Sequence, residues 1–404
     1  MGSGSLLEFA SKRARLAGKS ILDSGNPWFV PLDRLRSDAQ SRGKSLVSFA
    51  NYDYLGLSDR PEIKKASAEA LERHGTGALG SRLVGGERSM HSEFEHAVAD
   101  FIGVEASLTL VSGYLTNLTI IPHLLGVKDL LLIDELCHNS ILAGAKNAKA
   151  ELVAFRHNDL EHLESILKEK RGSFRNCLVV VEGLYSMDGD IPDLPKLLEL
   201  KYQHNAWLLV DEAHSFGVLG KRGRGISDHF GEDPNDIDLI VGTLSKALVS
   251  CGGFLCARQE IIDWLRFTLS GFVYSVGLSP VITATAHAAL DIIAAEPELP
   301  EQLRVVSEMF LAKARAAGLN TGPAIGRAVV PVMFGDLRST MLASQELLKK
   351  DIYAPPIVHI GVPKDLPRIR FFLSSRHREA DIDKAIAVLK EQDFQAAPAM
   401  ESVF

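Results

Sequence analysis

A regular alternation of short apolar runs and helix-like segments is the feature that most constrains the fold of this chain. The apolar runs are bounded by turn-forming residues, which is typical of strands covered on both faces. We predict strands at residues 106–111, 130–134, 151–155, 177–182, 207–211 and 238–241, with helices at 160–170, at 194–204 and after His138. Strands that alternate with helices predict an α/β fold with a mostly parallel central sheet and right-handed crossovers.

The chain is too long for one hydrophobic core, since its 404 residues exceed the size at which chains usually divide into domains. The alternation is interrupted at residues 296–300, which contain two prolines. We therefore predict an N-terminal arm over 1–50, a large domain over 51–295, a smaller α+β domain over 296–394 and a disordered tail over 395–404. The arm is predicted to be a helix followed by an irregular segment.

Bulk properties exclude several classes of protein. The formal net charge is −7 and no long basic run is present, so nucleic acid is not an expected partner. The four cysteines have no metal-ligand spacing, and we expect buried reduced thiols and no metal site. No apolar run reaches the length of a membrane span and the first residues contain no apolar signal core, so we predict a cytoplasmic protein.

Three reactive side chains follow two of the predicted strands. Asp211 and His214 lie at the end of the strand at 207–211, and Lys246 follows the strand at 238–241. Ligands of an open α/β sheet bind outside the carboxyl ends of its strands, so these side chains should share one crevice. A partly desolvated lysine has a lowered pKa and can form a Schiff base, and a carboxylate can keep a pyridine nitrogen protonated. This combination predicts a site for pyridoxal 5′-phosphate (PLP).

Two glycine-containing segments are less specific. Residues 75–86 form a glycine-rich loop that lacks the preceding strand of a dinucleotide-binding fingerprint. Ser112 and Gly113 open a predicted helix, whose free backbone N–H groups and dipole suit a phosphate group. A simple N-cap explains the same two residues, and both interpretations stay open at this point.

Several longer motifs occur together and in a fixed order. They are residues 181–190 (VEGLYSMDGD), 210–220 (VDEAHSFGVLG) with GRG at 223–225, and 242–247 (GTLSKA). With these motifs the chain resembles the α-oxoamine synthases, PLP-dependent acyltransferases of the aspartate aminotransferase fold (fold type I). The resemblance extends from residues 51–57 to 370–377. Residues 81–86 are most similar to aminooxononanoate synthases, and residues 243–254 to serine palmitoyltransferases.

The resemblance implies a role for each matching residue of the cofactor site. Lys246 would be the Schiff-base lysine and the acid–base group at the substrate α-carbon, and Asp211 would pair with the pyridinium nitrogen. His214 would hydrogen-bond the phenolic oxygen, and His138 would stack on the ring. Further contacts to the cofactor or its pocket are implied for Gly113, Tyr114, Glu182, Ser186, Thr243 and Ser245.

The resemblance also implies the substrates and the assembly. Arg370 would hold the carboxylate of a small amino acid, and Asn51 would line the substrate side. In a homodimer with shared sites, Ser275 would reach the phosphate bound by the partner chain. The implied reaction condenses glycine, alanine or serine with an acyl thioester, which leaves an α-amino ketone, CO2 and a free thiol. Whether coenzyme A or a carrier protein delivers the acyl group stays open.

The chain departs from the family pattern at three places. The segment at 354–363 is longer than is usual in the family. Residues 274–276 lack a second phosphate-binding hydroxyl that is often found in the family. Arg376 adds a cation either near the site or at a helix start. Two alternative functions remain: another fold-type I enzyme, such as an aldolase-type lyase or an aminotransferase, and a non-catalytic subunit of a synthase. A non-catalytic subunit should lack the Schiff-base lysine, so the presence of Lys246 disfavours it.

Overall fold

A seven-stranded sheet forms the centre of the computed structural model, which describes residues 5–12, 27–358 and 366–391. Its strands are β3 (Ala106–Leu110), β4 (Leu130–Asp134), β5 (Glu151–Phe155), β6 (Cys177–Glu182), β7 (Trp207–Asp211), β8 (Leu239–Thr243) and β9 (Gly253–Ala257). Their spatial order is β3-β9-β8-β7-β6-β4-β5, and β9 alone among them runs antiparallel to its neighbours. The predicted α/β fold with a mostly parallel sheet is confirmed.

Helices connect and cover the strands. In chain order the described helices are α1 (residues 6–12), α2 (Pro61–His74), α3 (Ser89–Ile102), α4 (Gly113–Leu124), α5 (Asn139–Asn147), α6 (Leu160–Lys170), α7 (Leu194–Gln203), α8 (Ile226–Phe230), α9 (Gln259–Thr268), α10 (Ser270–Val273), α11 (Pro280–Ala295), α12 (Leu299–Ala316), α13 (Leu337–Lys349) and α14 (Glu379–Glu391). Within the described part of the chain, none of them combines the length and the apolar character that crossing a membrane requires. The cytoplasmic location itself stays a prediction.

The central strands bury side chains on both faces. Along β4, Leu130 and Leu132 join one apolar cluster, and Leu131 and Ile133 join a second cluster on the other face. Successive side chains of a strand point to opposite faces, so an uninterrupted apolar run fits only a sheet covered on both sides. Each fully buried leucine contributes about 1.5–3 kcal/mol relative to an exposed one, which holds the ends of these strands in place.

Strand β8 is longer than predicted because of a strand that the sequence analysis missed. Gly242 and Thr243 continue β8 and pair with Phe254 and Gly253 of the antiparallel strand β9. A side chain at Gly242 would collide with the ring of Phe254, so only glycine fits there. The strand therefore ends at Thr243, and the loop that carries Lys246 begins one residue later.

The sequence analysis missed a hairpin that follows the irregular segment of the arm. Strands β1 (Asp38–Ser41) and β2 (Lys44–Ser48) form an antiparallel hairpin, and β2 also pairs in parallel with β11 (Ile352–Tyr353). The two residues of the hairpin turn, Arg42 and Gly43, both have positive φ angles, of 50° and 78°. Such tight turns match the twist of the paired strands, and a glycine in the turn is their main sequence signal.

A third sheet lies in the carboxyl-terminal part. It contains β10 (Val329–Met333), β13 (Arg368–Phe372) and β12 (Pro356–Ile357) in the order β10-β13-β12, with antiparallel pairing. Phe49, from the predicted arm, packs against Phe371 and Phe310 with ring centroids 5.3 and 5.9 Å apart. The apolar core therefore crosses the predicted boundaries, and the division into domains stays a prediction. The predicted tail lies outside the described residues.

Candidate active site

A cavity of about 290 Å³ opens at the carboxyl edge of the central sheet. It brings together eleven of the predicted site residues: Gly113, Tyr114, His138, Glu182, Ser186, Asp211, His214, Thr243, Ser245, Lys246 and Arg370. Pairing in the sheet explains part of this convergence, since Glu182 on β6 lies beside Asp211 on β7, and Asp211 lies beside Val241 on β8. The sequence analysis did not assign Tyr52, Ser112, Asn117, Ser140, Met187, Ala213, Gly242, Cys251 or Gly252, which also line the cavity.

Lys246 projects into the cavity from the loop after β8. Burial of its ammonium group lowers the pKa of Lys246 to about 8, although the carboxylates of Asp211 and Glu182 favour the charged form. Its Nζ atom lies 5.6 Å from the centroid of the Tyr52 ring. A substantial fraction of the amine is therefore neutral near pH 8, as a nucleophilic amine must be.

Asp211 ends β7 and is held by two donors. Its Oδ2 atom accepts a hydrogen bond of 2.6 Å from Nδ2 of Asn117, and its Oδ1 atom accepts one of 2.9 Å from the backbone N–H of Ala213. The side chain is 5% exposed, on the cavity side. Asn117 lies in α4 and was missed by the sequence analysis, because only folding places it against a strand end 94 residues later.

Glu182, at the end of the neighbouring strand, joins two loops to the sheet. Its carboxylate accepts hydrogen bonds from the backbone N–H groups of His138 (2.6 Å) and Ser186 (3.2 Å). Burial, with a contribution from Asp211, raises the pKa of Glu182 to about 8. The Glu182 carboxyl group thus positions both the loop that carries His138 and the loop that carries Ser186.

His214 is buried, and its Nδ1 atom lies 2.7 Å from the hydroxyl of Tyr54. Burial, with the cations of Lys246 and Arg370, holds the pKa of His214 well below its usual value, so the ring is neutral. A neutral imidazole has one donor and one acceptor nitrogen. When Tyr54 donates to Nδ1, Nε2 carries the proton and can act as a donor. Tyr54 lies in the motif at 51–57 but was not assigned a role from the sequence.

His138 caps the start of α5 and presents its ring to the cavity. Its Nδ1 atom lies 2.8 Å from the hydroxyl of Ser140 and accepts the backbone N–H of the same residue. Loss of water around the ring lowers the pKa of His138. The ring of Tyr114 meets it edge-on at 6.4 Å. A fixed, neutral ring of this kind can stack on a flat aromatic ligand.

The amino end of α4 meets hydroxyl groups from the loop after β8. Ser112 is the N-cap of this helix, and Gly113, its first residue, lines the cavity. A Cβ atom at Gly113 would lie 3.0 Å from Cβ of Thr243, and the Thr243 and Ser245 hydroxyls lie 2.8 Å apart. Ser112 can therefore cap the helix while the same helix end serves as an anion site. The cap leaves other backbone N–H groups of α4, and the hydroxyls of Thr243 and Ser245, beside the cavity.

Arg370 is a second cation that lines the cavity. Its Nη1 atom donates a 2.6 Å hydrogen bond to the carbonyl of Ser186, and its guanidinium stacks 4.2 Å above the Phe372 ring. Burial lowers the pKa of Arg370 below its ordinary value. Its Nε atom is buried and has no hydrogen-bond partner among the described residues. A buried donor without a partner is costly, so the position favours an anionic ligand such as a carboxylate.

Two predicted site residues do not line the cavity. The side chain of Asn51 binds the backbone of Ser48 (3.1 Å) and Asp53 (3.0 Å), so it does not line this cavity, and its place on the substrate side stays a prediction. The adjacent Tyr52 does line the cavity. Ser275 lies outside this cavity, as its predicted role toward a partner chain requires.

The other departures from the family pattern have different outcomes. Arg376 packs against Gly56 and lines a separate cavity, so it adds no cation to this site. Part of the segment at 354–363 lies outside the described residues, which resume at residue 366.

The four cysteines are free, but Cys251 is exposed, against the expectation that all are buried. No cluster of metal-ligating side chains occurs within residues 5–12, 27–358 and 366–391.

Comparison with known proteins gives consistent matches along most of the chain. The sequence profile of the family "Aminotransferase class I and II" matches residues 44–389. The 8-amino-7-oxononanoate synthase of Geobacter sulfurreducens is 39% identical over 352 residues, which cover 86% of this chain and 89% of that one. A solved structure of SPT (serine palmitoyltransferase) with PLP superimposes with a TM-score of 0.90 at 30% identity and covers 96% of this chain and 98% of its own. The serine palmitoyltransferase of Sphingomonas wittichii has the same TM-score and coverage at 28% identity.

Proposed function

Because this chain belongs to the class I and II aminotransferase family, and within it to the α-oxoamine synthases, we propose that its cavity binds PLP at Lys246 and a small amino acid at Arg370. The enzyme is a PLP-dependent acyltransferase that condenses an amino acid with an acyl thioester and releases CO2. One observation carries the proposal: a single cavity holds an amine of lowered pKa, a buried carboxylate at a strand end and a guanidinium with an unpartnered N–H.

The residues present fit the cofactor. The amino end of α4, with Gly113 and the hydroxyls of Thr243 and Ser245, provides backbone and side-chain donors for a phosphate group. Asp211 provides a fixed anion for a protonated ring nitrogen, and Asn117 keeps that carboxylate in place. When bound, PLP supplies an electron-withdrawing ring that stabilises negative charge on the carbon beside the amine.

The other cavity residues handle protons and orientation. Lys246, with its lowered pKa, takes the proton from the α-carbon of the amino acid and later returns one. With Tyr54 donating to its Nδ1 atom, His214 would donate from Nε2 to the phenolic oxygen of the cofactor. His138 would cover one face of the cofactor ring, and its contact with Ser140 limits the rotation of the imidazole.

Arg370 provides the specificity for an amino acid carboxylate. Its Nη1–Ser186 contact fixes the group at the cavity, and the fork of a guanidinium suits a carboxylate better than an ammonium does. The reaction forms a carbon–carbon bond between the α-carbon and the acyl carbon, breaks the thioester bond, and then releases the carboxylate as CO2. The products are an α-amino ketone, CO2 and the free thiol. We propose acyl-CoA as the thioester and glycine, alanine or serine as the amino acid.

A visible absorption spectrum of the purified protein, followed by separate additions of glycine, alanine and serine, tests the proposal. We expect a cofactor band that shifts with one of the three amino acids, and thiol release only when that amino acid and an acyl-CoA are both present. Absence of a cofactor band would contradict the PLP site and favour a non-catalytic subunit. Conversion to pyridoxamine phosphate would favour an aminotransferase, and release of an aldehyde from a β-hydroxy amino acid would favour a lyase.

Arg370→Lys should weaken binding of the amino acid more than it slows catalysis. The ammonium keeps the charge but loses the planar fork and the stacking on Phe372, so we expect the amino acid KM to rise by roughly 10²-fold, with a smaller change in kcat. Steady-state kinetics with the acyl thioester at saturation measure both. Arg175→Lys is the control, because it weakens an ion pair with Asp129 outside the cavity lining. An unchanged amino acid KM in Arg370→Lys would remove Arg370 from the substrate site.

We also propose that two copies of the chain form a homodimer with shared sites. Ser275 lies between Tyr274 and Val276, which are 87% and 52% exposed, so this segment is open to contact with a partner chain. Ser275→Ala should therefore reduce PLP affinity about 10-fold through loss of one hydrogen bond to a charged group.

Mixed dimers test whether Ser275 serves the partner's site. A dimer of one Ser275→Ala chain and one Lys246→Ala chain contains a single site with both Lys246 and Ser275 only if the serine acts across the interface. We expect such dimers to bind PLP at that site with unaltered affinity. If every site in the mixed dimers is weakened or inactive, or if diluted monomers remain active, the shared-site proposal fails.

A further inference from the structure

His157 joins two loops of the cavity although it does not line the cavity itself. Its Nδ1 atom lies 2.9 Å from Oδ1 of Asp134, and its Nε2 atom lies 3.0 Å from Oδ2 of Asp190. Asp134 is the last residue of β4, and Asp190 lies in the loop between β6 and α7. The side chain of His157 is 16% exposed, and the ring of Tyr185 contacts it edge-on at 4.5 Å.

The two carboxylates determine the charge of this histidine. A neutral imidazole can donate from one nitrogen only, so two carboxylate partners favour the doubly protonated ring. Burial opposes the charge, but Asp134 and Asp190 outweigh it and raise the pKa of His157 to about 10. Asp134 also accepts the N–H groups of Leu136 and Asn158, so the negative partner is itself fixed.

Each of the bridged loops carries a residue of the cavity. The segment after Asp134 leads to His138, whose N–H binds Glu182. The segment before Asp190 contains Ser186, whose carbonyl accepts the hydrogen bond from Arg370. The same loop is tied to β13 by Arg368, which binds the Met187 carbonyl at 3.1 Å and the Asp188 carboxylate at 2.6 Å.

We propose that His157 is a positioning residue for amino acid binding. By bridging Asp134 and Asp190, it holds the His138 segment and the Ser186 carbonyl at a fixed separation, and that separation orients Arg370 toward the substrate carboxylate. The inference rests on the proposed function, because it assumes that Arg370 receives an amino acid. A guanidinium that has lost its fixed Nη1 partner can rotate, which weakens the bond to a carboxylate more than it changes the groups that move protons.

Three variants separate positioning from general stability. His157→Gln keeps a hydrogen-bond donor for one carboxylate only, and Asp190→Asn removes the negative charge of one partner. The double variant combines the two substitutions. We expect His157→Gln to raise the dissociation constant of the amino acid, measured by the shift of the cofactor band, about 10-fold or more, with kcat changed less than about 3-fold. The double variant should weaken binding by less than the two single changes added together, because both break the contact between His157 and Asp190. It should weaken binding more than His157→Gln alone, because Asp190 also accepts a 2.7 Å hydrogen bond from Nδ2 of Asn158.

Hydrogen exchange of the protein without substrates gives a second measurement. In His157→Gln we expect faster exchange in peptides covering residues 134–140 and 183–190, and unchanged exchange in the strands of the central sheet. His377→Gln is the matched control, since His377 is buried and binds the Ser48 carbonyl away from both loops. It should lower the melting temperature without changing amino acid affinity.

The outcomes distinguish the alternatives. If His157→Gln melts at a lower temperature but binds the amino acid as the parent does, His157 is only structural and the proposal is overturned. If His157→Gln fails to fold, Asp190→Asn, which keeps the contact with Asp134, provides the same comparison. If the unmodified enzyme binds PLP but responds to none of glycine, alanine and serine, the proposed function fails, and hydrogen exchange still decides whether His157 holds the two loops.

Discussion

Lys246→Ala is expected to abolish turnover, with kcat/KM reduced by roughly 10⁴-fold or more. The variant loses both the amine that attaches the cofactor and the base that takes the α-proton, and no other lysine lines the cavity in the described part of the chain. The cofactor band of the purified protein should disappear or move to that of free PLP. Visible absorption and thiol-release kinetics at several protein concentrations measure these effects.

Two control variants show whether the loss is specific to this amine. Lys246→Arg keeps a cation but has no neutral form near pH 7, so it should be as inactive as Lys246→Ala. Lys201→Ala removes a buried lysine that pairs with Asp238, away from the cavity, and should affect stability but retain the cofactor band.

The pH dependence of PLP uptake provides a further check. Since the pKa of Lys246 is lowered to about 8, uptake of PLP by the cofactor-free protein should accelerate as pH rises from 7 to 9 and then level off. Turnover by Lys246→Ala within a few-fold of the parent would contradict the assignment.

Asp211→Asn is expected to reduce kcat/KM by about 10³-fold while the protein stays folded. The amide is nearly isosteric with the carboxylate, but it carries no charge to keep the ring nitrogen protonated, so the ring withdraws fewer electrons. The amide oxygen can accept from only one of the two donors, Asn117 and Ala213, so the variant loses one of these hydrogen bonds together with the charge. Cofactor absorption, PLP affinity and steady-state kinetics measure the effect, and PLP affinity should fall less than kcat.

Asp129→Asn provides the matched control for this substitution. Asp129 is fully buried and pairs with Arg175, so its loss should lower the melting temperature without a specific effect on the cofactor band. Asp211→Glu, which keeps the charge on a longer side chain, should retain more activity than Asp211→Asn. Equal activity of Asp211→Asn and the parent would mean that the ring nitrogen has another partner.

Local patterns were sufficient to predict most of the strands but not the exceptions. Strands β4 to β7 were predicted from uninterrupted apolar runs, and β7 ends at Asp211 as expected. Strand β9 was missed because an antiparallel strand breaks the alternation on which the prediction relied. The hairpin of β1 and β2 was missed because Gly43 was not interpreted as a turn signal. Both omissions concern pairing partners, which depend on the rest of the sheet.

The candidate site shows the same division. Asp211, His214 and Lys246 could be placed in one crevice because each follows a strand and parallel strands present their carboxyl ends at one edge. Asn51 was assigned to the substrate side from the sequence, but Tyr52 is the residue of this segment that lines the cavity. The hydrogen bonds of Asn51 to the backbone of Ser48 and Asp53 hold its side chain away from the cavity, and no local pattern predicted them.

The sequence by itself determined the order of strands and helices and the residue types at the strand ends, because these depend on periodicity and on short motifs along the chain. Only the tertiary structure decided what holds those residues in place. Asn117 supports Asp211 from 94 residues away, and Tyr54 supports His214 from 160 residues away. The bridge of His157 between Asp134 and Asp190 likewise spans three loops. Hydrogen bonds between such distant residues depend on packing geometry at the scale of an ångström, which no local pattern specifies.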